Sequence, residues 1–368
     1  MQRRIASRIR DVARHQRAGT SGKRHHSDRL RPDHYPGRGP DGREPLVRSC
    51  ALASRRRAMT ATGGPDAPEV GWPIVPGPRV FSGHESFACR YGWIPKLYEA
   101  VIEDPDLFAS DDHAILRLGL GRNMVKSLRF WGEALRLTQR NGREVHVTEF
   151  ARMLLDPRVG QDPYLETPGA LWRLHWTLTV HAGLGAWAVV FLEMQDREIT
   201  RERLVTAVRG CAARVRGTIT SGTAANHVNV FLQTYAASEQ AEGPPEETLG
   251  SPFQELALVR LAAPGGVPTV RLPRGPKRSL DASALAFILH DFWQGSMPGS
   301  ETLSLRSLML ARAAPGAVLL LDEPGLHEAL DSVCCRSGRL TLRGDGAGGL
   351  DLTCKGEPLR ELWEIAWS

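Results

Sequence analysis

Asp111-Asp112-His113-Ala114-Ile115-Leu116-Arg117-Leu118-Gly119-Leu120-Gly121-Arg122-Asn123-Met124-Val125-Lys126-Ser127-Leu128-Arg129-Phe130-Trp131, closed by Arg140-Asn141-Gly142-Arg143-Glu144-Val145-His146-Val147-Thr148, decides the fold of this chain. Ser110 or Asp111 is placed to cap a short helix carrying Ile115, Leu116 and Leu118, and Gly119-Leu120-Gly121 supplies a tight turn. From Arg122 to Leu137 the residues Met124, Val125, Leu128, Trp131 and Leu135 recur at helical spacing, while Arg122, Lys126, Arg129 and Glu133 share another face. Asn141-Gly142 is the dipeptide of a type I′ hairpin turn, standing between Leu137 and the alternating Val145-His146-Val147, with Arg140 and Arg143 beside the tip. Thr148 then caps a closing helix that returns Phe150 and Leu154 to the core. The pattern predicts a winged helix-turn-helix whose partner is double-stranded DNA. Arg122, Lys126, Arg129, Arg140 and Arg143 are its phosphate contacts, and Asn123 at the helix start is suited to adenine. The competing reading is a winged fold used for protein contacts, with the cations as a solvated helix face.

Charge supports the first reading only locally. The chain has 368 residues and a net charge of +6. Residues 1–58 hold 16 Lys or Arg against five acids, which leaves 31 bases against 36 acids from Met59 onward, whereas residues 111–155 hold eight bases against five acids. The basic first segment has few large apolar residues and no periodic face, and is expected to be disordered. It reads as a nucleic-acid arm, a targeting peptide, or upstream sequence translated from an early start codon, the last being favoured. No apolar core of a secretory signal follows its basic run.

Working outward, residues 1–78 read as arm and linker, 79–160 as the winged-helix domain, 161–250 as a helical region, and 251–368 as a C-terminal α+β part. There, helices followed by a hairpin around Gly346-Ala347-Gly348-Gly349 suggest a second winged-helix-like unit. The fold class is mainly α with small β (α+β). Expected elements include a helix from Ile94 to Ile102 with Leu97, Val101 and Ile102 on one face, and an acidic connector from Ala237 to Pro252. Farther on come helices from Ala282 to Phe292, Leu303 to Ala313 and Leu326 to Val333, a strand from Val318 to Leu321, and a last helix from Pro358. Leu174 to Leu192 is apolar over about a bilayer's thickness. His175, His181 and Gly183-Leu184-Gly185 interrupt it, so it reads as a buried hairpin or core helix and no membrane partner is expected. Cys50, Cys89, Cys211, Cys334, Cys335 and Cys354 form no metal or redox spacing, which fits free thiols in a reducing cytoplasm.

Phe81-Ser82-Gly83-His84-Glu85-Ser86-Phe87-Ala88-Cys89-Arg90-Tyr91-Gly92-Trp93 and Leu118-Gly119-Leu120-Gly121-Arg122-Asn123-Met124-Val125 together resemble the family catalogued as domain of unknown function 4007. The resemblance continues through Asp162-Pro163-Tyr164-Leu165-Glu166, Leu171-Trp172-Arg173-Leu174-His175-Trp176, Phe231-Leu232-Gln233-Thr234-Tyr235 and Ser251-Pro252-Phe253-Gln254-Glu255-Leu256. It implies a DNA-nicking component of a bacterial DNA phosphorothioation system, used for modification and defence. Its implied partners are a cysteine desulfurase and an ATP-pyrophosphatase-like sulfur-transfer enzyme. A non-catalytic DNA-binding adaptor and a protein scaffold are the rival readings.

Cutting a phosphodiester needs a group to activate water, positive charge on the transition state, and an acid or metal at the leaving oxygen. His84, Glu85, Arg90 and Lys96 bring those types together within thirteen residues. His84 is a candidate base or metal ligand, Glu85 a metal ligand, and Arg90 and Lys96 phosphate clamps; the cofactor is unknown, with magnesium or manganese fitting a nuclease. Structurally, His84 and Glu85 would instead bond within a tight turn while Phe87 and Trp93 enter the core. His175 and His181, six residues apart, read as buried hydrogen-bonded imidazoles, and His290-Asp291 carries little signal. Leu319-Leu320-Leu321-Asp322-Glu323 imitates a Walker B strand, but no phosphate-binding glycine loop occurs in the chain, so no ATP site is expected.

Overall fold

Gly132, in the last turn of a helix, shows how tightly the first part of the molecule is assembled. A Cβ there would press on Leu97 Cδ2 and lie 2.8 Å from Thr138 Oγ1, so any larger residue would force these side chains aside. The elements are α1 (Trp93–Glu103), α2 (Asp111–Leu118), α3 (Arg122–Ala134) and the antiparallel hairpin β1 (Thr138–Asn141) and β2 (Glu144–Val147), closed by α4 (Glu149–Leu155). The computed structural model describes residues 79–215, 217–236, 250–344 and 349–368. The basic arm and linker, most of the expected acidic connector and the tip of the C-terminal hairpin lie outside them.

Local chemistry sets these boundaries. Ser110 Oγ accepts the His113 N–H at 3.1 Å to start α2, and Gly119, at φ +65°, ends it in the left-handed conformation. Thr148 Oγ1 accepts the Ala151 N–H at 3.1 Å and donates to the Arg136 carbonyl at 2.7 Å, joining the start of α4 to the chain behind α3. Val125, Leu128 and Trp131 of α3 are buried against Leu97, Leu118, Phe150 and Leu154. Three expectations need correction. Ile102 and Leu116 point outward, 45% and 85% exposed, because Tyr98 and Ala114 occupy the core positions instead. α3 stops at Ala134 rather than Leu137. The register pairs Asn141 with Glu144, so the turn residues are Gly142-Arg143; only Gly142 has positive φ, which excludes a type I′ turn.

The middle of the chain is built on α5 (Pro168–His181), capped by Thr167 and buried on every side. It leads through Gly183 into α6 (Gly185–Trp187), which continues as a π-helical stretch, Ala188–Glu193. α7 (Arg201–Val215) and α8 (Ser221–Tyr235) complete the layer, with a 3-10 turn at Pro252–Leu256. The span expected to be a buried hairpin or core helix is two buried helical segments broken at Gly183, and among the described residues no helix is long and apolar enough to cross a membrane. A small sheet, ordered β3 (Glu198–Thr200), β5 (Thr269–Arg271), β4 (Arg260–Ala262), is antiparallel throughout.

α9 (Ala282–Ser296) opens the last part, followed by β6 (Thr302–Ser304), α10 (Leu305–Leu310), α11 (Pro315–Val318), α12 (Glu323–Arg336), β7 (Leu340–Gly344), β8 (Leu350–Cys354) and α13 (Pro358–Trp367). β8 lies between β6 and β7 in an antiparallel sheet. The helix expected from Leu303 begins two residues later, because Leu303 pairs with Leu352. The apolar run Val318–Leu321 is no strand: it ends α11 and turns through Leu320 at φ +52°, fully buried, so its hydrophobicity reports depth rather than extension. Asp322 then accepts the Gly325 N–H at 2.9 Å as the cap of α12. The architecture is α+β, predominantly helical with small antiparallel sheets.

Candidate nucleic-acid interface

Because Val125, Leu128 and Trp131 turn one face of α3 inward, Arg122, Asn123 and Lys126 stand on the exposed face. No side chain caps the first N–H groups of this helix, so its positive end faces outward. Arg122 reaches Asp112 at 3.2 Å across two exposed side chains, a weak tie. Arg129 is committed more closely: its Nε lies 3.3 Å from Glu133 and its guanidinium 5.9 Å from the Phe108 ring. Lys126, Arg140 and Arg143 have no carboxylate partner among the described residues, and Glu144 beside the hairpin turn is taken by His146 at 2.9 Å. Six predicted contact residues thus lie on α3 and the hairpin that follows it, with Arg129 the least available.

The segment from Phe81 to Trp93 is fastened to the same helix. Phe87 places its carbonyl to accept Trp131 Nε1–H at 3.0 Å and the Ser127 hydroxyl at 3.5 Å, both from α3. Gly83, at φ +107°, lies so close to Phe130 of α3 that a Cβ would sit 2.8 Å from the ring. Glu85 and Ser86 follow in the left-handed region at φ 47° and 66°, a sparsely populated conformation for residues with side chains, and both are exposed. At the far end of the segment the Tyr91 hydroxyl donates to Glu255, and burial with that carboxylate pushes its pKa well up.

The four residues grouped in sequence do not form one cluster. His84 is 1% exposed, and its Nε2 lies 2.9 Å from Nδ1 of His227, a residue 143 positions away that has no marking motif. The Ser86 N–H approaches His84 Nδ1 at 3.3 Å, and the Ala186 N–H donates to His227 Nε2 at 3.1 Å. Burial lowers His84 to about 4, and burial with repulsion from His84 lowers His227 to about 3, so both rings are neutral. Four ring nitrogens in a row then hold two protons: one lies between the rings, and the other faces a backbone N–H, the longer Ser86 contact yielding. No lone pair is left for water. Lys96 donates to the Leu118 carbonyl at 3.1 Å, tying α1 to the end of α2, and the Arg90 guanidinium lies 5.9 Å from Phe87 and 5.8 Å from Trp93. Only Glu85 of the four combines exposure with a position beside α3.

Two further histidines are also accounted for. His175 Nε2–H donates to the Val318 carbonyl at 3.0 Å and its Nδ1 lies 2.7 Å from the Tyr235 hydroxyl; burial lowers it to about 4. His181 Nε2 lies 2.7 Å from Asp291 Oδ2, which also accepts Trp176 Nε1–H at 2.7 Å.

Magnesium takes oxygen donors in near-octahedral geometry. Among the described residues no group of three or more His, Cys, Asp or Glu is disposed to hold an ion. An open depression between α2 and the hairpin contains Asp104, Asp106 and Glu144, but Asp104 is taken by His113 at 2.6 Å and by the Asp106 N–H at 3.0 Å, and Arg143 stands at its edge. In the histidine pair both distal nitrogens face N–H groups, the reverse of the acceptor a metal-bound imidazole needs behind it. The described residues therefore offer no site with three or more protein ligands for magnesium.

No curated protein matches this chain. Two solved crystal structures of SspB, one of them magnesium-bound, are similar to it with a TM-score of 0.69 and 29% sequence identity, covering 77% of this chain and 85% of theirs. A family model described as a protein of unknown function, DUF4007, matches residues 81–366, which run from before α1 into the last turn of α13. The chain belongs to the DUF4007 family.

Proposed function

We propose that residues 79–160 form a winged helix-turn-helix domain and that the protein is the DNA-binding component of a phosphorothioation-based DNA modification system. The order α1, α2, α3, β1, β2 is that of a winged helix, with α3 as recognition helix. The single observation that carries the reading is the exposed, carboxylate-free set Lys126, Arg140 and Arg143 on α3 and its hairpin. Family membership and likeness to SspB support the system; the sulfur-transfer partners follow from that resemblance. α9, β6, α10, α11, α12, β7 and β8 also run helices into a hairpin, with a strand and a short helix added, but α12 exposes Glu328 and Asp331, which suits protein contacts better than phosphate.

Fluorescence anisotropy with a labelled duplex tests the DNA reading. Replacing Lys126, Arg140 and Arg143 by Ala should weaken binding and lower the salt slope by about three, at roughly 0.9 per phosphate contact. Unchanged binding would assign the unit to protein contacts. Strand nicking, implied by the resemblance, would rest in this chain on Glu85 and Arg90, since His84 and Lys96 are engaged within the fold. Supercoiled plasmid converted to open circle by the protein, and not by Glu85→Gln, would support it; a mobility shift with no open circle in magnesium or manganese favours the adaptor.

A further inference from the structure

A second concentration of positive charge lies on the β3–β5–β4 sheet and the loop that leaves it. The register places Glu198, Arg271 and Arg260 side by side across three strands, on one face. Glu198 pairs with Arg271 at 2.9 Å, which leaves Arg260 opposite a cation and without a carboxylate partner among the described residues. One step on, the Leu272 N–H donates to the Arg197 carbonyl at 2.8 Å, holding the strand that leads to Arg274 alongside Arg197. Arg274 is half-buried, and its pKa is lowered by burial and by Arg197. Lys277, half-buried as well, donates to the Pro273 carbonyl at 2.9 Å; burial and Arg260 lower its pKa against the pull of Asp322. Asp322 is itself occupied as the cap of α12.

Like charges held together and partly removed from water are unfavourable unless an anion joins them. Several other cations of the chain have a carboxylate partner: Glu193 serves Arg79 and Arg214, Glu361 serves Arg339, and Glu364 serves Arg360. Here none of the four cations is ion-paired among the described residues, and the one carboxylate that acts on Lys277, Asp322, is engaged. Three are guanidiniums, whose planar forks match phosphate oxygens, and they gather at one end of the sheet and on the loop that leaves it rather than ring a pocket, which suits a polymer of phosphates.

We propose that Arg197, Arg260, Arg274 and Lys277 form a second docking surface for the sugar–phosphate backbone of duplex DNA, distinct from the α3 and hairpin contacts. The surface is sequence-indifferent and adds to the hold of the winged unit; in naming DNA it rests on the function proposed above.

The test uses the full chain, a long labelled duplex and binding measured over a range of salt. Arg260→Ala/Arg274→Ala should lower affinity about ten-fold and reduce the salt slope by about two. The Lys126/Arg140/Arg143 alanine variant supplies the comparison, with losses that add to those of the sheet variant because the sites are separate. Arg260→Gln/Arg274→Gln repeats the test with most of each side chain's stem retained. Full binding and an unchanged slope in both sheet variants overturn the proposal, even if the winged variant is weakened. Losses in the sheet variants alone sustain it and refute the winged reading, and a native protein that binds no duplex refutes both.

Discussion

Mild acid should unfold this protein well above the pH at which carboxylates titrate. His84, His175 and His227 are buried and neutral, lowered to about 4, about 4 and about 3 by desolvation, with His84 adding to the effect on His227. In the unfolded chain each titrates near ~6.5. A histidine with a depressed folded pKa takes up its proton first in the unfolded state. The stability it lends is complete above that unfolded value and is lost as pH falls toward the folded one. At about pH 5 each has lost about 2 kcal/mol, from ~1.5 pH units at ~1.36 kcal/mol per unit, and the three together about 6 kcal/mol. That is comparable with the whole stability of a typical domain, roughly 5–15 kcal/mol. His290, also lowered by burial, adds in the same direction. Urea titrations followed by tryptophan fluorescence should show stability falling by about 4 kcal/mol per pH unit between about pH 6 and 5. His227→Gln should remove about a third of that slope while lowering stability at neutral pH. A stability that stays flat from about pH 7 to 5, or a slope indifferent to His227→Gln, would refute the reasoning.

Two smaller perturbations test the assembly of the unit from α1 to α4. Gly132→Ala drives a Cβ into Leu97 and Thr138 and should cost about 1–3 kcal/mol, read as a lowered unfolding midpoint with secondary structure retained; an unaltered midpoint would show that α1 and α3 are free to separate. Thr148→Ala removes an N-cap and a link to the Arg136 carbonyl, for an expected loss of about 1–2 kcal/mol. If it proves neutral, the hairpin is held by its strand pairing alone.

Much of the α2-to-α4 region was legible because its determinants are local. Ser110, Gly119, Gly142 and Thr148 each act within three or four residues of where they stand, and the spacing of Val125, Leu128 and Trp131 sets the buried face of α3. The candidate site was legible only where it is a surface property of those same elements. Proximity in sequence grouped His84 with Glu85 and Lys96, yet His84 is defined by His227 and Lys96 by the end of α2, contacts that no short-range pattern encodes. The Val318–Leu321 run misled for a related reason: four apolar residues in a row register burial, and a buried turn looks the same as a buried strand. The charge on the β3–β5–β4 sheet was invisible because Arg197 comes from a segment far in the chain from the one that carries Arg260 and Arg274.

The Phe87 carbonyl has a mechanical meaning. With two donors from α3 on one oxygen, the loop carrying Glu85 has no hinge of its own against that helix. Four residues after Phe87, Tyr91 grips Glu255 on the 3-10 turn that packs against α5 and α8. Any tilt imposed on α3 by a ligand is therefore a lever stroke. It carries the loop with it and arrives, through one tyrosine, at the middle of the molecule, where a change in the Tyr91 environment would register it.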